Sequence, residues 1–310
     1  TGDAIMMNDR ISDKLKVLKP SGIRKFFDIV ATKKDVISLG VGEPDFATPW
    51  NIVDAAFYNM KMGRTHYSSN FGLLEFRKEV GEYLKKYNLD YAPDEIIATI
   101  GGSEGIDLAL RSIINPGDEI IVPEPVYVPY RPLSELTGAK VVGIDTSKTE
   151  FKVDAKELEK LITPNTKAII LCYPNNPTGI TMPYEDLKAV AEVVKKHNIW
   201  VITDEIYSEL TYEGEHTSIA SFPDMKERTI YLNGFSKAFA MTGWRIGYIC
   251  GPKELIQQMV KIHQYTTLCA PIISQYGAIE ALKNSIPDML SMRDSFARRR
   301  RLLFQGFKGL

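Results

Sequence analysis

The stretch that decides the fold is TIYLNGFSKAFAMTGWRIGYICG, from Thr229 to Gly251. Its first apolar run predicts a buried strand, a turn carrying Ser236 and Lys237 follows, and a second strand is predicted to open at Arg245. The lysine supplies an amine, and the hydroxyl and the guanidinium near it are groups that bind phosphate. Most lysines are solvated surface residues, but this combination is typical of a site for a phosphorylated aldehyde.

The composition is that of an ordinary globular protein. The chain has 310 residues, of which 44% are hydrophobic and 25% charged, and its formal net charge is -1. At roughly 150 residues per domain, this length predicts one large α/β domain and part of a second. The balanced charge gives no attraction for nucleic acid or an anionic membrane. We therefore expect small molecules, or copies of the same chain, as partners.

The three cysteines are widely separated, and with the four histidines they show no metal-ligand spacing. Cys172 and Cys250 lie in apolar runs, which predicts free, buried thiols in a reducing compartment. The sequence has no secretory leader pattern and no apolar run of about eighteen residues. These features favour a cytoplasmic protein without a membrane span.

From Ile96 onward, short β-branched runs alternate with helical ones. This alternation predicts strands joined by crossover helices, and therefore an α/β fold with a mostly parallel sheet. The predicted strands are 96–100, 119–122, 140–144, 168–172, 200–203, 229–232 and 245–250. The predicted helices are 50–61, 72–87, 104–114, 130–136, 155–162, 184–197 and 252–264, after two short helices within 9–34.

Ligands of such sheets bind outside the carboxyl ends of the strands. The first strand ends in GGSEG, from Gly101 to Gly105, and a helix starts there. Free N–H groups at a helix start bind phosphate, although tight-turn glycines explain the motif equally well. Next to such an anion, we expect Glu104 to turn its amide inward and its side chain out.

Three further strand ends carry polar or aromatic groups. Tyr127 follows the second strand, where its ring either lies against an aromatic cofactor or packs in the core. Asn175 and Asn176 stand in CYPNNPTG, either as plain turn residues or as donors to a phenolic oxygen. Asp204 ends the fifth strand, shortly before Tyr207, and needs a partner: a salt bridge, a helix cap or a protonated ring nitrogen.

Two segments outside the strand ends also attract attention. Residues 36–49 read VISLGVGEPDFATP, in which Gly40 and Gly42 permit a close backbone approach, although an ordinary structural loop has the same composition. The polar loop RTHYSSNFG carries the aromatic Tyr67. The strand ends, with Ser103, Ser236 and Arg245 as a phosphate cup, supply the parts that a pyridoxal phosphate site needs.

Four spans, GVGEPDFATP, YPNNPTG, DEIYSELTY and NGFSKAFAMTGWRIGY, resemble those of fold type I pyridoxal phosphate enzymes, specifically the class I aminotransferases of the aspartate aminotransferase superfamily. The resemblance covers nearly the whole chain in order. It implies a three-layer α/β/α domain with a mostly parallel mixed sheet at 49–280, and a small domain built from both chain ends. Residues 1–48 are then an N-terminal arm, and 281–310 begin a C-terminal part that is incomplete.

The resemblance also implies residue roles. Lys237 is similar to the Schiff-base lysine, Asp204 to the partner of the pyridinium nitrogen, Tyr207 and Asn176 to the ligands of the ring's O3′, and Tyr127 to the stacking ring. Ser103, Glu104, Ser236 and Arg245 match phosphate-binding positions, Gly40 and Asn176 match substrate contacts, and Tyr67 resembles a tyrosine that reaches the phosphate of the neighbouring subunit in a homodimer.

The implied reaction is ping-pong transfer of an amino group from an L-amino acid to a 2-oxo acid, in which Lys237 is both leaving group and general acid/base. The family's arginine for the substrate α-carboxylate is expected beyond Leu310, and the run from Arg298 to Arg301 is interpreted as a solvated helix rather than a nucleic-acid patch.

Substrate and reaction type stay open at this point. Some aspartate-specific relatives have a lysine where this chain has Ser103, so aspartate, aromatic and related donors are all candidates. The alternatives are a β-lyase, an aminocyclopropane carboxylate synthase type of enzyme, or a non-catalytic pyridoxal-binding regulator, because these share the cofactor site.

Overall fold

In the computed structural model, residues 10–22, 26, 28, 29, 32, 33, 35, 37, 39, 40 and 42–310 are described. The strands are β1 (Ile96–Thr99), β2 (Glu119–Glu124), β3 (Lys140–Asp145), β4 (Thr166–Cys172), β5 (Trp200–Asp204), β6 (Thr229–Gly234) and β7 (Gly247–Cys250). The helices are α1 (Asp13–Val17), α2 (Trp50–Lys61), α3 (Leu74–Leu84), α4 (Gly101–Ile113), α5 (Tyr130–Leu136), α6 (Ala155–Leu161), α7 (Tyr184–His197), α8 (Lys253–Thr266), α9 (Ile272–Asn284) and α10 (Ile286–Phe307).

The strands form one mixed sheet in the order β1-β7-β6-β5-β4-β2-β3. The pairs among β3, β2, β4, β5 and β6 are parallel, whereas β7 runs antiparallel to both of its neighbours. Because β7 is reversed, its first residues lie at the same edge as the last residues of β1 and β6. The carboxyl edge of the parallel strands therefore also receives the start of β7.

Helices cover both faces of the sheet. Adjacent residues of a strand point to opposite faces, and here both sets are buried. Ile170 and Ile202 pack in one cluster with Ile106 of α4 and Met259 of α8. On the other face, β4 and β5 pack against α6 and α7, through Ile169, Val201, Leu158 and Val190. On the same face, β1, β6 and β7 pack against α2, α3 and α9, through Ala98, Tyr231, Ile52, Phe76 and Ala278. The predicted α/β/α layering with a mostly parallel mixed sheet is confirmed.

All seven predicted strands are present; each matches its prediction at one end and differs from it by one or two residues at the other. The start of the last strand was wrong: it begins at Gly247, and Arg245 lies outside it with φ 50° and ψ 57°. A left-handed residue cannot continue a strand. The turn before β7 therefore aims Arg245 separately from the sheet, and this matters for the site.

The helix predictions differ from the structure at several places; α3, for example, spans Leu74–Leu84 instead of the predicted 72–87. α4 begins at Gly101, three residues earlier than predicted, so the whole GGSEG motif lies in its first turns. α9 was not predicted: small residues such as Gly277 and Ala278 are buried along with larger ones, so no simple apolar stripe marks it. In the N-terminal stretch α1 matches the first predicted helix, and much of the second lies outside the described residues.

Candidate functional site

The strand register brings the candidate residues to one edge of the sheet. Asp204 pairs with Cys172 on β4 and with Leu232 on β6, and Gly234 at the end of β6 pairs with Gly247. Gly247 in turn pairs with Thr99 at the end of β1. The residues after β1, β4, β5 and β6, together with those before β7, therefore surround one region, as the strand-end argument predicted.

Lys237 lies three residues beyond the end of β6 and is half-buried. Its Nζ donates to the carbonyl of Gly42 at 2.5 Å and lies 6.0 Å from the centroid of the Tyr207 ring. Burial lowers the pKa of Lys237; Glu43 acts to raise this pKa and Arg245 to lower it further. A lysine with a lowered pKa carries more free amine, which is the nucleophilic form.

The glycine segment approaches this lysine, as its composition suggested. Besides the Gly42 carbonyl, Thr242 donates to Glu43 at 2.9 Å, and Thr48 donates to the carbonyl of Ala240 at 2.6 Å. These contacts fasten residues 42–48 over the loop that carries Lys237. A cleft of about 650 Å³ lies between residues 43–48 and 240–244, next to the lysine rather than around it.

Asp204 is a buried carboxylate with a neutral partner on each oxygen. The Tyr130 hydroxyl donates to Oδ2 at 2.7 Å, and the Ile206 N–H donates to Oδ1 at 3.2 Å. Burial raises the pKa of Asp204 to about 6, although both hydrogen bonds act against the rise. Within the described part of the chain, no lysine, arginine or histidine forms an ion pair with Asp204. Such a carboxylate suits a cationic ligand group.

Glu205, the residue after Asp204, fixes the end of β5 through the hydrogen bonds of its side chain. Its carboxylate accepts from Ser218 at 2.7 Å and from Thr203 at 2.9 Å, and lies 2.5 Å from Nε2 of His216. All four side chains are largely buried. This cluster ties the end of β5 to the loop before β6, so Asp204 stands on a rigid support.

Tyr207 and Asn176 come together although 31 residues separate them. The Asn176 amide donates to the Tyr207 hydroxyl at 3.2 Å. Burial raises the pKa of Tyr207 to about 12, so the phenol stays protonated and keeps its own hydrogen to donate. Two donors thus lie side by side near Lys237, in the arrangement expected for binding one oxygen.

A second group surrounds the start of α4. Gly101 has φ +67°, and a Cβ added there would come 2.5 Å from Nη2 of Arg245. A Cβ at Gly247 would meet the backbone of Gly101 and Gly102 at 2.9 Å and 3.1 Å. Only glycine permits this packing, which sets the Arg245 guanidinium against the N-terminal turn that carries Ser103. Free N–H groups of that turn and an adjacent guanidinium form an anion site.

The expected orientation of Glu104 was wrong in part. Its side chain is folded back rather than directed out to solvent: Oε2 accepts from the N–H of Ile100 at 2.8 Å, and Oε1 contacts Nδ1 of His263 on α8. The Glu104 side chain is 16% exposed and that of His263 is fully buried. The reason is local, because a carboxylate in the first turn satisfies an orphan N–H of its own helix.

The remaining candidates have different surroundings. The Tyr127 ring packs edge-on against Tyr130 with the centroids 5.5 Å apart, next to Asp204. Ser236 is buried beside Lys237, and Gly40 is exposed two residues before Gly42. Tyr67 exposes 81% of its surface, and among the described residues no hydrogen bond or ring contact joins it to this group.

Sequence reasoning missed Tyr130 and His263. Each contacts a predicted site residue from another element, and the contacts span 74 and 159 positions of the chain. For Tyr130, the only hint in the sequence was its position three residues after Tyr127, at the start of a predicted helix. His263 gave no sequence signal beyond being one of four histidines.

The described residues include no group of three or more His, Cys, Asp or Glu placed to hold a metal ion. All three cysteines are free, with Cys172 and Cys250 buried as predicted. None of the described helices is both long and apolar enough for a membrane span.

Comparison with known proteins defines the class. The family model described as "Aminotransferase class I and II" matches residues 34–310. A putative aminotransferase of Bacillus subtilis, YugH, is 49% identical over 302 residues, which cover 96% of this chain and 78% of the relative. The chain therefore belongs to the class I and II aminotransferase family.

Solved structures agree with this assignment. The aspartate aminotransferase from Thermus thermophilus with maleate has a TM-score of 0.92 at 37% identity, covering 96% of this chain and 80% of that one. A probable N-acetyl-LL-diaminopimelate aminotransferase of Bacillus subtilis is 46% identical over 94% of this chain and 75% of its own length. The protein is an enzyme that transfers amino groups, and the family's ping-pong reaction applies to it.

The buried Asp204 gives the cofactor-free fold a pH dependence. Its carboxyl has a pKa of about 6 when folded, against 3.8 for the ordinary group. Below pH 3.8 it is protonated in both states, whereas above about pH 6 folding must bury the charge. Stability is therefore lost as the pH rises between these values, by up to about 3 kcal/mol for a shift of about two units.

Asp204→Asn removes this titration. The measurement is urea unfolding of the two cofactor-free proteins at about pH 4 and at about pH 7.5. We expect the stability of the variant relative to wild type to rise by up to about 3 kcal/mol between these two pH values. Parallel pH profiles of the two proteins would contradict a buried, uncompensated carboxylate.

Proposed function

We propose that this site binds pyridoxal 5'-phosphate and uses it to move an amino group from an L-amino acid to a 2-oxo acid. One observation carries the proposal: a lysine of lowered pKa faces Tyr207 at the same sheet edge as a buried carboxylate that has no cationic partner among the described residues. When bound, the cofactor supplies an electron sink for the carbon that bears the amino group.

The residues fit the two ends of such a ring. Asp204 would pair with a protonated ring nitrogen, and this cation would provide the charge that the buried carboxylate lacks. The Asn176 amide and the Tyr207 hydroxyl, which are hydrogen-bonded to each other, would donate to the ring's phenolic oxygen. Tyr127, whose ring borders Tyr130, would stack on the ring. The carboxylate and the donor pair would together orient the ring.

The N-terminal turn of α4 and Arg245 would hold the phosphate. Ser103 and the backbone N–H groups of residues 102–104 would donate to its oxygens, and the guanidinium and Ser236 would complete this phosphate cup. The close packing at Gly101 and Gly247 fits this role, since it puts donors of two elements next to one anion.

Lys237 has two tasks. It would hold the cofactor aldehyde through its free amine, which its lowered pKa favours. Once replaced by the substrate amine, the same amine would serve as the base and acid for the substrate Cα proton. The Gly42 carbonyl and the Tyr207 ring lie next to this amine and would orient it.

The amino donor is proposed only as a class. Relatives are named as aspartate and as N-acetyl-LL-diaminopimelate aminotransferases, and aromatic donors are a further candidate. Gly40 and Asn176 are proposed to line the substrate side. A cytoplasmic location and the domain division at 48 and 280 stay predictions.

Lys237→Ala tests the proposal. We expect it to abolish turnover with amino acids and 2-oxoglutarate and to remove the absorbance at roughly 360 to 430 nm of the linked cofactor. Lys261→Ala is the matched control, because Lys261 is an exposed lysine on α8 that bonds only to Gln258 among the described residues. Near-normal turnover of Lys237→Ala would refute the assignment.

We further propose a homodimer with shared sites. α2 buries Ile52 and Ala56 against the fold but exposes large apolar side chains on its outer face. The loop after α2 carries the exposed Tyr67. Asn70 in the same loop donates to the carbonyl of Leu268 at 2.7 Å, near the exposed Tyr265. The large exposed residues of this surface are Trp50, Phe57, Tyr58, Met60, Met62, Tyr67 and Tyr265. A surface of this kind marks a contact between proteins, and a second copy would bring Tyr67 to a phosphate cup.

A hybrid dimer tests the sharing of sites. Tyr67→Ala is expected to weaken cofactor binding and activity. In a hybrid with Lys237→Ala, one site combines an intact Lys237 with an intact Tyr67 from the other subunit. Random pairing of the two variants should then restore activity to about a quarter of the wild-type level. Activity no higher than the average of the two separate variants would contradict shared sites.

A further inference from the structure

Glu104 sits at an electrostatically awkward position. It belongs to the first turn of α4, which is also the turn proposed to bind the phosphate. A carboxylate next to a phosphate dianion repels it, and the effect is strong where burial lowers the dielectric constant. Nevertheless, Glu104 is useful there, since its Oε2 accepts from the otherwise unpaired N–H of Ile100 at 2.8 Å.

His263 deals with this conflict from the opposite helix. Its Nδ1 contacts the second carboxylate oxygen of Glu104, and the Thr267 hydroxyl lies 3.4 Å from the same nitrogen. The His263 side chain is fully buried. Its other nitrogen, Nε2, is buried without a hydrogen-bond partner in the described structure. A buried orphan nitrogen is costly, so the contact with Glu104 has to compensate for it.

We propose that His263 is a positioning residue of the phosphate cup. It donates from Nδ1 to the Glu104 carboxylate and holds it against α8, so that Glu104 caps Ile100 without opposing the phosphate. This inference rests on the proposed pyridoxal phosphate function. In this role, His263 contacts neither cofactor nor substrate and acts on phosphate binding through Glu104.

The alternative is that His263 only joins α8 to α4. That role would affect folding and every ligand alike, whereas a role toward the phosphate distinguishes pyridoxal 5'-phosphate from pyridoxal, which lacks that group. The discriminating measurement is therefore a pair of dissociation constants, one for each ligand, obtained by absorbance titration of the full chain freed of cofactor.

Two substitutions of similar size separate the donor from the volume. In His263→Asn the side-chain amide nitrogen replaces Nδ1, whereas His263→Leu has no donor. We expect His263→Leu to bind pyridoxal 5'-phosphate about tenfold more weakly and to bind pyridoxal as the wild type does. His263→Asn should stay within about twofold of wild type for both ligands.

Removing the charge of Glu104 should make the histidine unnecessary. Glu104→Gln keeps an acceptor for Ile100, and we expect the double variant Glu104→Gln/His263→Leu to recover the phosphate-dependent affinity. If His263→Leu does not fold, Glu104→Gln alone decides, because the proposal requires that it binds pyridoxal 5'-phosphate at least as tightly as wild type.

Several results would overturn the inference. They are an equal loss of affinity for both ligands in His263→Leu, no loss for either, or a loss that Glu104→Gln does not repair. A wild-type protein that binds neither ligand would overturn the proposed function as well. Normal wild-type binding with the wrong variant pattern overturns only the role of His263.

Discussion

The burial of one carboxylate is the constraint on which the site depends. Asp204 ends a strand that is covered on both faces, and its pKa is raised to about 6. Among the described residues, its oxygens accept only from the Tyr130 hydroxyl and the Ile206 N–H. A charge so placed is unfavourable without a cationic partner. In the proposed function, the protonated nitrogen of a bound ring would be that cation, and the carboxylate would keep the ring protonated. Binding of the cofactor and stability of the fold would therefore be coupled through the same group.

The rest of the fold brings the other candidate residues to the same sheet edge as that carboxylate. The parallel strands bring Asn176 and Tyr207 to one edge, and the single reversed strand β7 brings its preceding turn to the same place. The left-handed Arg245 and the bare backbones of Gly101 and Gly247 then let a guanidinium approach the start of α4. The segment 42–48 covers Lys237 from outside the sheet. In the proposed function, Arg245 and the start of α4 would hold the phosphate, and Asp204 would pair with the ring nitrogen.

Much of this was predictable from sequence, because strand-end residues follow buried apolar runs and the sheet geometry gathers them. Asp204, Tyr207, Asn176 and Lys237 are of this kind. The contacts that tune them were not predictable. Tyr130 and His263 contact residues that are 74 and 159 positions away in the sequence. The orientation of Arg245 depends on its own left-handed backbone conformation, which is unusual for a residue other than glycine. α9 was not predicted either, because its buried small residues leave no helical period of apolar residues in the sequence. The hydrophobic pattern of the sequence predicts which residues follow the end of a strand. Packing between elements that are distant in sequence determines the protonation and the orientation of their side chains.

The most direct test of this account is the protonation state of the ring nitrogen in the bound cofactor. Nitrogen NMR of the protein loaded with pyridoxal 5'-phosphate labelled with 15N at the ring position reports it without reference to turnover. The account predicts a protonated nitrogen at about pH 8, above the range in which a free pyridine ring keeps its proton, because Asp204 is ionised beside it. An unprotonated nitrogen under these conditions would contradict the pairing with Asp204 and with it the central claim.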